Sequence, residues 1–132
     1  MIELNLATDY TIRILIHLAQ TNKAITATEV ASAMKIPERQ SAALLKNLCK
    51  RGVVEGHRGR NGGYMLKTDP QSISLLDIIQ WTSSSVVINR CVQNKEECNR
   101  KMAEKCKVHK IFCELQLKWE KELKAVTLIN LI

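Results

Sequence analysis

Residues 26–67 read TATEVASAMKIPERQSAALLKNLCKRGVVEGHRGRNGGYMLK, and the order of signals within them decides the fold. Thr26-Ala-Thr-Glu29 is a capping box, in which the threonine hydroxyl accepts from the Glu29 amide while the glutamate reaches back. It opens a short helix through Val30, Ala31 and Met34. Pro37, whose fixed φ suits a first helical turn, starts a second helix that runs to Arg51, where Gly52 supplies the stop. Leu44, Leu45 and Leu48 give this helix an inward face, and Arg39, Ala43, Lys46, Asn47 and Lys50 its opposite one. Two short strands, 53–57 and 64–67, then flank Arg58-Gly-Arg-Asn-Gly-Gly63, whose glycines supply the positive φ angles of a tight hairpin. Helix, turn, helix and basic hairpin, in that order, specify a winged helix: a mainly α fold with a small β-hairpin wing.

Upstream, residues 6–20 carry Ile12, Leu15, Ile16 and Ala19 at helical spacing, and Asn22-Lys23 breaks the pattern. Downstream, Ser74-Leu-Leu-Asp77 starts another helix, through Ile78, Ile79 and Trp81. A polar, cysteine-bearing segment follows, from about Ser83 to Lys105. Val108, Ile111, Phe112, Leu115, Trp119, Leu123 and Val126 then recur at helical spacing. A stripe that long is more than one small core needs, so it reads as a long C-terminal helix that makes a homodimer, against the plainer alternative of packing within the chain. The expected organisation is a winged-helix unit over 1–80, a cysteine loop over 81–107, and a dimerisation helix with C-terminal segment over 108–132.

Composition agrees. A chain of 132 residues supports one compact domain with an accessory element. Long Leu, Ile, Ala, Lys and Glu stretches with few aromatics favour helices. No run of about 18 apolar residues predicts a membrane span, and the acidic Glu3 and Asp9 do not make a signal-peptide start. The expected setting is therefore a reducing cytoplasm, where five cysteines imply metal or redox chemistry more than disulfides.

Charge points to a partner, against the plainer alternative of a solvated surface. Residues 35–67 hold eight lysines or arginines against two glutamates, which leaves only one of the chain's +7 to all the rest. Positive charge this concentrated is the footprint of a polyanion, here double-stranded DNA with a palindromic operator to match a dimer. The first turns of the second helix of the pair offer Glu38, Arg39, Gln40 and Ser41 to base edges, against the plainer alternative of ordinary first-turn polar residues: arginine can pair with guanine and glutamine with adenine, and glutamate can accept from cytosine or merely exclude wrong bases. Arg58 and Arg60 at the hairpin tip suit a narrow minor groove. Lys46, Lys50 and Arg51 suit phosphates.

Cys91, Cys98 and Cys106 lie in a polar, lysine-rich stretch with the spacing C-x6-C-x7-C. Flanking Arg90, Lys95, Arg100, Lys101, Lys105 and Lys107 would lower thiol pKa values and offset the charge of a thiolate cluster. Zinc is the rival metal, but structural zinc sites pair their ligands in tight knuckles that this spacing lacks. If the last helix begins near Cys106, then Cys106, His109 and Cys113 share a face. His109 becomes a natural fourth ligand and Cys113 a lesser candidate. Cys49, among leucines, reads as core.

At this point the chain resembles the winged-helix regulators that include the iron–sulfur regulator IscR, the nitric-oxide-responsive NsrR and the iron-responsive RirA. The resemblance runs over essentially the whole chain. It is most specific in Ala7-Thr-Asp-Tyr-Thr-Ile-Arg13, in Arg58-Gly-Arg-Asn-Gly-Gly-Tyr64, in the three-cysteine segment and in the closing Val126-Thr-Leu-Ile-Asn-Leu131. It implies a homodimer whose three cysteines hold an iron–sulfur cluster, 2Fe–2S or 4Fe–4S. For the fourth ligand it implies either Asp9 of the partner subunit, as in NsrR-like members, or His109, as in IscR-like ones. Ala42 stands where IscR has a DNA-discriminating glutamate, so a shared operator is not implied.

The expectation is thus a cluster-dependent DNA-binding regulator, a repressor in the first instance, that responds to iron, cluster, redox or nitric-oxide status. The rivals are a cluster-free regulator answering to thiol chemistry or a partner protein, and a zinc-stabilised DNA-binding module. An enzyme is not expected: no nucleophile–base pair or phosphate loop is visible, and the glycine-rich hairpin lacks a nucleotide fingerprint's strand-to-helix context.

Overall fold

Asn5 starts the first helix by accepting the Thr8 amide at 2.8 Å, so α1 (Leu6–Ala19) has a cap that the apolar repeat does not reveal. This computed structural model describes residues 3–82 and 86–132. In α2 (Ala27–Met34) both halves of the capping box form, Glu29 N to Thr26 Oγ1 at 3.2 Å and Thr26 N to Glu29 Oε2 at 2.8 Å. The Thr26 amide holds the Glu29 carboxyl below its usual range. Lys35, at φ 57°, makes the left-handed turn into α3 (Glu38–Lys50). Pro37 is the cap residue of that helix rather than part of its first turn, because its φ/ψ of −55°/132° is extended. At the other end Gly52, at φ 73°, donates to Cys49 O and Val53 donates to Leu48 O, a Schellman closure.

The wing is β1 (Val54–His57) antiparallel to β2 (Gly63–Leu66), with Val54 opposite Leu66 and His57 opposite Gly63. Each strand begins one residue away from the sequence expectation. A further pair of bonds, Tyr64 N to Ile25 O at 2.7 Å and Ile25 N to Tyr64 O at 3.0 Å, fastens the wing to the loop before α2. This crossing requires glycine at position 63: its φ is 141°, and a Cβ there would lie 2.5 Å from the Ile25 carbonyl.

Ser74 and Asp77 cap α4 (Leu75–Thr82), as the sequence predicts. The cysteine segment is more ordered than expected. It contains the one-turn α5 (Arg90–Gln93) and 3-10 turns at Lys95–Glu97 and Ala103–Lys105, and the expected start near Ser83 lies outside the described residues. Cys106 then caps α6 (Lys107–Ala125). The chain returns through Leu75 N to Val126 O (2.9 Å) and Leu128 N to Ile73 O (2.8 Å). That return buries Leu128 in the same core as Ile14, Leu15, Leu45 and Ile78. Burying one such side chain is worth about 1.5–3 kcal/mol.

The last helix has two faces. His109, Gln116 and Leu123, seven residues apart, turn inward, and the helix packs on α4 and α5. Val108, Ile111, Leu115 and Trp119, rotated roughly 100° around the axis, remain exposed. Leu123 and Val126 therefore leave the expected outer stripe for the intrachain side, which the return of the C-terminus covers. Among the described residues no helix is long and apolar enough to cross a membrane.

Candidate DNA interface and cysteine segment

The packing of α3 sorts its residues. Leu45 and Leu48 are buried against α1 and α2, which turns Arg39, Gln40, Lys46 and Lys50 to the surface, with no ion pair to any of them among the described residues. Glu38, also exposed, accepts from the Thr28 hydroxyl of α2 at 2.6 Å. Ser41 is a correction: it is fully buried and donates to the Ala27 carbonyl at 3.0 Å. It clamps α3 onto α2 and does not face outward, because position 41 lies one turn before Leu45 on the inward face.

Arg58 and Arg60 project from the wing tip, exposed and without ion pairs among the described residues. The Ile25–Tyr64 pairing sets the wing beside the α1–α2 loop, so Lys23, Thr26, Glu29, His57, Arg58 and Arg60 line one open crevice. By sequence Lys23 only breaks the helical pattern; the Ile25–Tyr64 pairing is what puts it among the wing cations.

Arg51, expected at a phosphate, is engaged within the chain. Its Nε donates to Asn47 Oδ1 at 3.2 Å and its Nη2 to the Trp81 carbonyl at 3.4 Å, and the guanidinium lies 5.9 Å over the indole. Thr82 joins the same corner to α1, through Asn5 Nδ2 to Thr82 O at 2.8 Å and a 2.6 Å contact between the Thr8 and Thr82 hydroxyls. The end of α3, the start of α1 and the end of α4 thus meet where the chain leaves for the cysteine segment.

Cys91, Cys98 and Cys106 are free and half-buried, and each stands in or at the end of a short helical turn. The amides of Met102 and Arg100, aided by that of Lys101 and by the Arg100 charge, hold the Cys98 thiol below its ordinary range. Lys101 at φ 50° makes the turn that directs them. Burial instead pushes the Cys49 thiol up, as suits a residue packed against the core. The donor chemistry fits a thiolate-bound metal group. Among the described residues, however, no three His, Cys, Asp or Glu side chains are gathered at one metal-holding point.

Within one chain, and among the described residues, no hydrogen bond or ion pair links Asp9 or His109 to Cys91, Cys98 or Cys106. Asp9 is paired with Arg13 at 2.6 Å, and Arg13 also donates to Met34 O at 3.2 Å. His109 is buried, with its Nε2 3.5 Å from the Cys113 sulfur. The shared face of Cys106, His109 and Cys113 therefore joins only its last two members. Gln116 acquires its role only in the tertiary structure. It accepts from Ile88 N at 2.8 Å and donates to Val86 O at 3.1 Å, which fastens α6 to the entry of the cysteine segment. Its signal was a polar residue on the seven-residue row between His109 and Leu123.

Comparison with known proteins bears on this arrangement. Residues 4–132 match the family described as "Rrf2: Iron-dependent Transcriptional regulator". The chain is 29% identical over 111 residues to a putative HTH-type transcriptional regulator of Aquifex aeolicus, covering 84% of this chain and 77% of that protein. It is 31% identical over 94 residues to the HTH-type transcriptional regulator NsrR of Bacillus subtilis, covering 69% of this chain and 64% of that protein. Its fold is similar to CymR, the global cysteine regulator of B. subtilis, with a TM-score of 0.76 at 22% identity over 99% of this chain and 96% of that one. The IscR of T. potens gives 0.73 at 21% identity over 98% and 85%.

Proposed function

The chain belongs to the Rrf2 family of transcriptional regulators, and from that premise we propose that it is a homodimeric repressor whose hold on DNA depends on an iron–sulfur cluster at Cys91, Cys98 and Cys106. The family is one of regulators rather than enzymes. The observation that carries the reading is the Cys98 sulfur set among the amides of residues 100–102, with two further half-buried thiols in the same short segment. When bound, a cluster supplies a group reactive towards oxidants, nitric oxide or loss of iron. The chain's own residues supply the rest. Arg39 and Gln40 read bases in the major groove of a palindromic operator, and Arg58 and Arg60 enter the minor groove. Lys46 and Lys50 hold phosphates. The outward stripe of Val108, Ile111, Leu115 and Trp119 is self-complementary and joins two copies. The corner of Arg51, Trp81 and Thr82 links the root of the cysteine segment to the reading helix, so a change in one biases the placement of the other. Such a protein works in the cytoplasm.

A second reading, a cluster-free regulator that answers through its thiols, is favoured by the lack, among the described residues, of three metal-holding side chains gathered at one point. Anaerobic purification with iron, sulfide and zinc analysis and Mössbauer spectroscopy separates the two. Coloured protein with iron and acid-labile sulfide supports the cluster. Colourless, metal-free protein whose DNA affinity changes on thiol oxidation supports the second reading, and stoichiometric zinc without iron overturns both.

A further inference from the structure

Glu38 opens α3, and an unrestrained carboxylate there has two places to go. It can fold back towards the free amides of the helix start, where the dipole favours negative charge, or swing through solvent. It does neither. Pro37 offers no side-chain cap, and Thr28, two residues into α2, donates its hydroxyl to Glu38 Oε1 at 2.6 Å across the turn of the helix pair. The other oxygen, Oε2, has no partner among the described residues.

We infer that Thr28 is a positioning residue for base recognition: it holds Glu38 so that one carboxylate oxygen faces the DNA, restricting that operator position to a base with an amino group in the major groove, cytosine foremost. This rests on the reading role proposed above for the first turn of α3. A carboxylate can only accept hydrogen bonds, so it rewards the N4 amino group of cytosine and is repelled by the O6 of guanine, the O4 of thymine and the phosphates. That selectivity requires the side chain to stay in place. A glutamate free to rotate escapes an unfavourable base at little cost, whereas one already fixed loses less freedom on binding and cannot retreat from a wrong base. Thr28 and Glu38 are both exposed in the free protein, so water competes with their bond; DNA expels that water and strengthens it. Arg39 and Gln40 reward their bases, while the held carboxylate penalises wrong ones.

The test is selection from a random duplex library, followed by titration of the chosen duplex and its single-base variants. The proteins are wild type, Thr28→Val, which keeps the shape and removes the hydroxyl, Thr28→Ser, which keeps the hydroxyl, Glu38→Ala, and the Thr28→Val/Glu38→Ala pair. Wild type should discriminate at one position per half-site by on the order of fivefold or more. Thr28→Val should lose most of that preference there and nowhere else, with unchanged affinity for nonspecific DNA. Thr28→Ser should restore it, and Thr28→Val should add nothing to Glu38→Ala. Equal weakening on all sequences would make Thr28 a phosphate contact and overturn the inference. So would an unchanged preference in Thr28→Val, or an effect that persists without Glu38. A wild-type protein that selects no sequence would overturn the DNA-reading role itself, and the inference with it.

Discussion

Arg51 donates from Nη2 to the carbonyl oxygen of Trp81 at 3.4 Å and lies 5.9 Å over its ring, so the end of α3 is fastened to the last turn of α4. Beside this joint the Thr11 hydroxyl is buried without a partner among the described residues, so the corner's polar groups are not fully satisfied. A fork that both stacks and hydrogen-bonds is beyond lysine, whose ammonium is a point charge. Arg51→Lys and Arg51→Ala should therefore behave alike. Both should shrink, several-fold, the difference in operator affinity between native protein and protein whose segment cysteines have been alkylated, as read by mobility shift. Lysine restoring wild-type behaviour would return Arg51 to the phosphates.

Arg39 and Lys50 are both exposed cations of α3, at opposite ends of the helix. Arg39→Ala should weaken a specific operator by about 1–3 kcal/mol and leave nonspecific DNA nearly untouched. Lys50→Ala should lower both equally and reduce the salt slope by about one. Equal patterns for the two variants across a salt series would make Arg39 a phosphate contact only.

In metal-free protein, alkylation followed by peptide mapping should rank the thiols. Cys98, whose thiolate is favoured by neighbouring amides, should react first and keep more of its rate as pH falls, since a lowered pKa leaves more thiolate at a given pH. Cys49, pushed up by burial, should be slow and should quicken only at higher pH. In reconstituted protein, Cys91→Ala, Cys98→Ala and Cys106→Ala should each abolish visible cluster absorbance, and Cys49→Ala should keep it. A coloured Cys98→Ala protein with full iron would refute the ligand assignment.

Asp9 is held by Arg13 at 2.6 Å, so serving as a ligand across a dimer would require it to give up that pair. His109 would have to leave its contact with Cys113. A carboxylate matches iron–sulfide chemistry less well than imidazole and makes a more labile ligand, which suits a sensor. We expect Asp9→Ala to change the cluster spectrum and DNA response, and His109→Ala to leave both closer to wild type. Side-by-side reconstitution giving the reverse order would assign the position to His109.

The stripe on α6 gives the last prediction. Leu115→Glu places a charge among exposed Val108, Ile111 and Trp119 without touching the buried row. It should give a folded monomer, with helical signal retained and the sedimentation coefficient of a single chain. A dimer unchanged by Leu115→Glu and by Ile111→Glu would place the subunit contact elsewhere.

Local chemistry made much of this protein legible in its sequence. The Thr26–Glu29 capping box, the Gly52 stop, the glycine-rich hairpin and the Ser74–Asp77 start all formed, because each signal acts within a few residues. The strands were off by one residue and Pro37 by one position, as expected where boundaries depend on pairing rather than composition. Long-range packing decided the rest. Ser41 looked like its polar neighbours until burial turned it onto Ala27. Lys23 joined the wing through the Ile25–Tyr64 bridge, and Arg51 found Trp81 thirty residues away. Gln116 became a tie to residues 86 and 88, and Thr28 a hold on Glu38. Helical periodicity shows which side of a helix is apolar. Which polar side chain meets which partner depends on how the helices cross, and that is set by the whole core at once.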